Sequence, residues 1–74
     1  MILLKSIYQL NTFSKYGLLQ ICVSNREFIN GYNRLSRDEI IDLFYFCLFS
    51  KQLIYIPEYI YQNSKFLKNV KRMI

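Results

Sequence analysis

The stretch Leu35-Ser36-Arg37-Asp38-Glu39-Ile40-Ile41-Asp42-Leu43-Phe44-Tyr45-Phe46-Cys47-Leu48-Phe49 sets the reading of the fold. Ser36 followed by Glu39 is a capping box. The Ser36 hydroxyl can accept from the Glu39 amide while the Glu39 carboxylate reaches back to the Ser36 amide. Asp38 and Glu39 also place negative charge at the positive end of the helix dipole. The helix so started is apolar nearly all round after Asp42, which requires cover on more than one side. Phe44, Phe46 and Phe49 are therefore expected in a protein interface, together with Tyr55 beyond the helix. A membrane span is excluded here, because Asp42 and Lys51 bracket about eight residues where a span needs about 20.

Downstream, Leu53-Ile54-Tyr55-Ile56 is a short run of β-type residues stopped by Pro57. Pro57 suits the first turn of a last helix, with Glu58 beside it. Upstream, a first short helix is expected over Ile2 to Tyr8. Asn11 or Thr12 offers a cap for a second helix running to about Cys22, with Leu18, Leu19, Cys22 and Val23 as its buried stripe. Ser24 to Arg34 carries Asn25, Asn30, Gly31 and Asn33 and reads as the main loop, pinned only by Phe28 and Ile29. The expectation is one all-α domain over residues 1–74: a small bundle of three to four short helices, with a capped central helix and a basic C-terminal helix.

In that last helix Phe66, Leu67, Val70, Met73 and Ile74 share an apolar face, which leaves Lys65, Lys68, Lys71 and Arg72 on the outer arc. No acid follows Glu58. Cations on one side, at that density, are what a surface that neutralises phosphates requires, without any reading of base sequence. A solvated helix face of ordinary charge has the same periodicity and stands as the alternative.

Composition agrees with a binding protein. The 74 residues leave room for one domain with a thin stability margin, and 53% hydrophobic and 18% aromatic content is far above that of a disordered chain. Seven Tyr and six Phe exceed what so short a chain easily hides, so some belong in interfaces. Ten Lys and Arg against five Asp and Glu give +5 and a pI near 9.4, which favours an anionic partner such as nucleic acid or an acidic membrane surface. Catalysis has no constellation to rest on. There is no His, the acids sit in a cap or alone, and Gly17 and Gly31 are isolated, so no phosphate-cradling glycine loop exists. Cys22 and Cys47 lie in apolar surroundings without a second pair, which points to buried free thiols in a reducing compartment and to no metal and no cofactor. The absence of Ala and Trp beside abundant Ile, Asn, Lys, Tyr and Phe is the bias of an AT-rich, organellar type of genome. Met1-Ile2-Leu3-Leu4 is too short an apolar run for a cleavable signal.

The order of residues also resembles a known family. Ile2-Leu3-Leu4-Lys5-Ser6-Ile7-Tyr8, then Ser14-Lys15 opening a helix, then Leu35-Ser36-Arg37-Asp38-Glu39-Ile40 with Leu43, then Phe66-Leu67-Lys68-Asn69-Val70-Lys71-Arg72-Met73-Ile74 resemble, in order and spacing, the successive blocks of small-subunit ribosomal protein thirteen. The family runs an apolar segment into Ile-Tyr, a Lys-bearing helix, a Leu-Ser or Leu-Thr capped helix, and a helix ending Ile-Lys-Arg-Leu. It has a Gly-x-Gly turn where Gln9 and Asn11 stand here, and it continues into a Gly- and Arg-rich tail where this sequence stops at Ile74. The resemblance implies the helical body of a structural component of the small-subunit head. It implies contact with small-subunit rRNA, with Lys15 among the RNA-facing residues, and a neighbouring ribosomal protein nineteen. With the compositional bias it implies a mitochondrial ribosome rather than a plastid one. Two other classes stay open: an accessory helical subunit of an organellar membrane complex, and a fragment of a helical-repeat RNA-binding protein.

Overall fold

The computed structural model describes residues 1–25 and 31–68. Its longest element is the capped helix. We call the helices α1 (Lys15–Ser24), α2 (Arg37–Phe49) and α3 (Glu58–Gln62), and the strands β1 (Ile2–Leu3) and β2 (Tyr55–Ile56). Short 3-10 turns at Ile7–Leu10, Tyr32–Arg34 and Ser64–Phe66 connect them. The protein is mostly helical, with one small two-stranded sheet.

At the start of α2 the Glu39 amide donates to Ser36 Oγ at 3.2 Å, and the Ser36 amide donates to Glu39 Oε1 at 2.8 Å. The hydrogen bonds from Ser36, backbone first, hold the Glu39 carboxyl below its usual range. Ile40, Phe44 and Cys47 recur at one-turn spacing and are buried, so they fix which side of this largely apolar helix faces the core. Asp38, Asp42, Tyr45, Phe46 and Phe49 point away from it and are exposed. Phe44 is fully buried and so belongs to the core of the chain itself, a correction to its place among interface residues. The helix ends in a Schellman motif. The Gln52 amide donates to Cys47 O at 2.9 Å, the Lys51 amide donates to Leu48 O at 3.0 Å, and Lys51 carries the left-handed φ of 62° that glycine usually supplies.

The N-terminal segment departs from the expected helix over Ile2 to Tyr8. Ile2 pairs with Ile56 and Leu3 with Tyr55 in antiparallel register, and the Leu4 amide continues the ladder to Ile54 O at 2.8 Å. The β-type run before Pro57 needs a partner for its backbone groups, and the apolar start of the chain supplies it. Helical winding begins only at Ile7, behind a second capping box made by Ser6 and Gln9. That turn ends under Arg37, whose Nε donates to Phe13 O at 2.9 Å and whose Nη2 donates to Leu10 O at 3.3 Å and Asn11 O at 3.2 Å. One guanidinium thus gathers three carbonyls of the turn and its exit, and adds a second donor to the Leu10 carbonyl, which already accepts from the Phe13 amide.

Ser14 caps α1, accepting from the Gly17 amide at 3.2 Å, so the helix starts later than a cap at Asn11 or Thr12 would place it. Its buried face is Gly17, Leu18, Ile21 and Cys22, while Leu19 is half-buried and Val23 is exposed, a shift of one position from the expected stripe. At its end the Asn25 side chain donates to Ile21 O and to Tyr55 O and accepts from the Tyr55 amide, which ties α1 to β2. Most of the expected loop, residues 26–30, lies outside the described residues.

The expected continuous helix after Pro57 is broken. Pro57 precedes α3, which ends at Gln62; Asn63 is extended, and its Oδ1 accepts from the Lys65 amide at 3.2 Å. An Asn side chain that bonds the backbone two residues on offers a turn in place of helix. Phe66 is buried and Leu67 bridges to Phe13, while residues 69–74, with Val70, Lys71, Arg72, Met73 and Ile74, lie outside the described residues. The seam is tight, because a Cβ on Gly17 would meet the Phe66 carbonyl at a distance real Cβ atoms do not reach.

Two substitutions separate local from tertiary constraints. Ser36→Ala costs about 0.5–2 kcal/mol through the lost cap. Gly17→Ala costs about 1–3 kcal/mol by overpacking, although alanine is the better helix former. Urea denaturation of both variants measures this, with Gly17→Ala expected to destabilise rather than stabilise.

Candidate nucleic-acid interface

The seam between the start of α1 and the turn at Ser64–Phe66 carries three of the exposed lysines, Lys15, Lys65 and Lys68. Ser14 donates to Phe66 O from its amide at 3.1 Å and from its hydroxyl at 3.2 Å, and the Lys68 amide donates to Thr12 O at 2.6 Å. The two segments therefore run antiparallel. Lys15 follows Ser14 on one side and Lys65 precedes Phe66 on the other, while Lys68 lies one bond along; all three side chains are exposed. Segments fifty positions apart in the chain thus meet at their backbones.

Aromatic rings lie among these cations. Lys65 Nζ stands 5.7 Å from the Tyr16 ring centroid and 5.5 Å from that of Phe66. Tyr16 and Tyr59 both pack against Phe66, with centroids 5.1 Å and 5.9 Å away, and Tyr61 meets Phe13 edge-on at 5.0 Å. Each tyrosine buries one side of its ring and leaves the rest exposed. Cation–π contacts at exposed sites are worth about 0.5–1 kcal/mol, enough to bias where the ammonium rests but not to neutralise it. Among the described residues the ion pair within 4 Å joins the Met1 amino group and Glu58 at 3.8 Å, so Lys15, Lys65 and Lys68 have no carboxylate at that distance. Lys15 contributes a longer-range attraction to Glu39. The result is a positive surface with ring faces beside it, suited to phosphate oxygens and to stacking of an unpaired base.

Of the residues expected to face RNA, Lys15, Lys65 and Lys68 are exposed on the segments that form this seam, while Lys71 and Arg72 lie outside the described residues. Of those expected in a protein interface, Phe46, Phe49 and Tyr55 are exposed and sit away from this seam. The sequence reading missed Tyr16, whose ring stands beside Lys65, and Tyr59, which packs on Phe66 at the same turn. Tyrosine excess was the available signal, but only the fold says which rings lie beside lysines.

The two thiols are not displayed. Cys22 and Cys47 are both buried, and burial first, then the neighbouring Cys47, pushes the Cys22 thiol up to about 12 from an ordinary 9.0; burial also raises Cys47. No group of His, Cys, Asp and Glu suited to hold a metal occurs among the described residues. Among the same residues no helix is long and apolar enough to cross a membrane. Comparison with models of protein families, with curated proteins and with solved structures gives no match to this chain.

The raised Cys22 thiol makes stability pH-dependent. Its folded pKa lies above its unfolded value, so its contribution is intact below pH 9 and is lost as pH rises from about 9 toward 12. The slope it adds is at most about 1.4 kcal/mol per pH unit. Urea titrations between pH 8 and about 10.5 are expected to show a steeper alkaline loss for the natural chain than for Cys22→Ala.

Proposed function

We propose that this chain is a structural constituent of the small subunit of a mitochondrial ribosome, binding rRNA and neighbouring ribosomal proteins in the subunit head. One observation carries the RNA-binding part. The seam pairs the backbones of two segments that carry the exposed Lys15, Lys65 and Lys68, with Lys65 over the Tyr16 ring and no carboxylate within 4 Å of those lysines among the described residues. Burying three ammonium groups unpaired is strongly unfavourable, so they face water or an anion, and phosphate oxygens supply the anion. Backbone contact of this kind holds a small protein on folded RNA without reading its sequence.

The ribosomal step comes from the resemblance to small-subunit ribosomal protein thirteen. Two of its blocks coincide with well-formed features here, the Ser14-Lys15 start of α1 and the Ser36–Glu39 cap of α2. A third departs, because Phe66-Leu67-Lys68 closes a turn and a bridge instead of continuing a helix. The role assigned is structural, with no reaction and no cofactor.

The test is binding to a transcript of the small-subunit head rRNA across a salt series, for the natural chain and for a variant carrying Lys15→Gln, Lys65→Gln and Lys68→Gln. The variant should bind more weakly, and the slope of log affinity against log salt should flatten by about two to three units, with the helical circular dichroism unchanged. Equal affinity and equal slope would show these lysines to be a solvated face.

A further inference from the structure

A second surface has a charge pattern of its own. The outward face of α2 carries Asp38 and Asp42 in its first half and Tyr45, Phe46 and Phe49 in its second, with Lys51 exposed in the turn just beyond. Phe46 and Phe49 are 63% and 80% exposed, an unusual cost for free-standing phenylalanine. Tyr8, 79% exposed, joins them from the first 3-10 turn, and Lys5, Tyr8, Tyr45, Leu48 and Phe49 line a groove of about 380 Å³, room for an aromatic side chain. At about 150–250 Å² per aromatic side chain, Tyr8, Tyr45, Phe46 and Phe49 leave on the order of 600 Å² uncovered. That approaches the ~800 Å² per partner of a standard interface and is large for a patch without a function.

We propose that this face docks against the same face of a second copy of the chain, with the two α2 helices antiparallel and the two-fold axis near Phe46. The charges select this occupant. Asp42 precedes Phe46 by four residues and Lys51 follows it by five. A two-fold axis at Phe46 therefore sets Asp42 of one copy beside Lys51 of the other, twice, as an isologous interface requires. The helix ends agree: antiparallel pairing sets the positive end of each α2 dipole beside the negative end of the other and brings the acids of the first turn, Asp38 and Glu39, toward Lys51 beyond the last. A parallel arrangement would set acid against acid. This inference goes beyond the RNA-binding reading and uses none of its residues.

Sedimentation velocity of the full chain over a concentration series tests it. A monomer–dimer equilibrium is expected, abolished by Phe46→Asp with the circular dichroism unchanged, since Phe46 lies outside the core. Asp42→Lys alone and Lys51→Asp alone should each weaken dimerisation about tenfold, and the double exchange Asp42→Lys with Lys51→Asp should restore it, because opposite charges meet again. Phe46→Asp should leave the salt slope of RNA binding as it was, so failure here is separable from failure of the lysine seam. A chain monomeric up to about 1 mM would overturn the proposal and leave the face to a different protein. So would a dimer indifferent to Phe46→Asp, or one that the double exchange does not restore.

Discussion

The Phe66 carbonyl accepts from both donors of Ser14, over a turn of α1 where Gly17 leaves no space for a side chain. Much of the rest follows from that contact. It brings the chain's last described segment back to the start of its first α-helix. It closes the core over Phe13, and it sets the orientation in which Lys65 and Lys68 meet Lys15. The capped helix α2 supplies rigidity on the other side of the core, but it is the seam that converts scattered basic residues into one surface.

The cations divide into distinct uses. Arg37 is half-buried and spends its planar fork on the carbonyls of Leu10, Asn11 and Phe13, work that a lysine could not do with the same geometry. Lys51 closes the end of α2 in a backbone conformation usually left to glycine. Lys15, Lys65 and Lys68 carry no comparable internal duty. Net charge therefore overstates the surface available to an anion.

What could be read from the sequence was what local bonding decides. The Ser36–Glu39 box and the strand before Pro57 are legible because cap chemistry and the proline stop act within a few residues. The exposed aromatic end of α2 was legible as excess, but its orientation was not. In a helix apolar on nearly every side, periodicity cannot separate Phe44 from Phe46, and the core chose between them. The N-terminal run looked helical because its pairing partner lies over fifty residues away. The break after Gln62 was missed because an apolar spacing compatible with helix continues through Phe66, while the Asn63 side chain and the Gly17 contact favour a turn. The lysine seam was half legible. Lys65 and Lys68 were named from a helical arc that the structure replaces with an antiparallel backbone contact, and Lys15 only through the family resemblance.

Asn25 has a consequence beyond holding α1 to β2. In the β1–β2 ladder the backbone groups of Tyr55 point away from β1, and the Asn25 carboxamide takes up both, accepting from the amide and donating to the carbonyl. A side chain thus occupies the place of a third strand. An open strand edge is a template for the next chain, and in a protein that is 53% hydrophobic such an edge invites aggregation. One residue closes the sheet on that side with the same pair of bonds another molecule would have made.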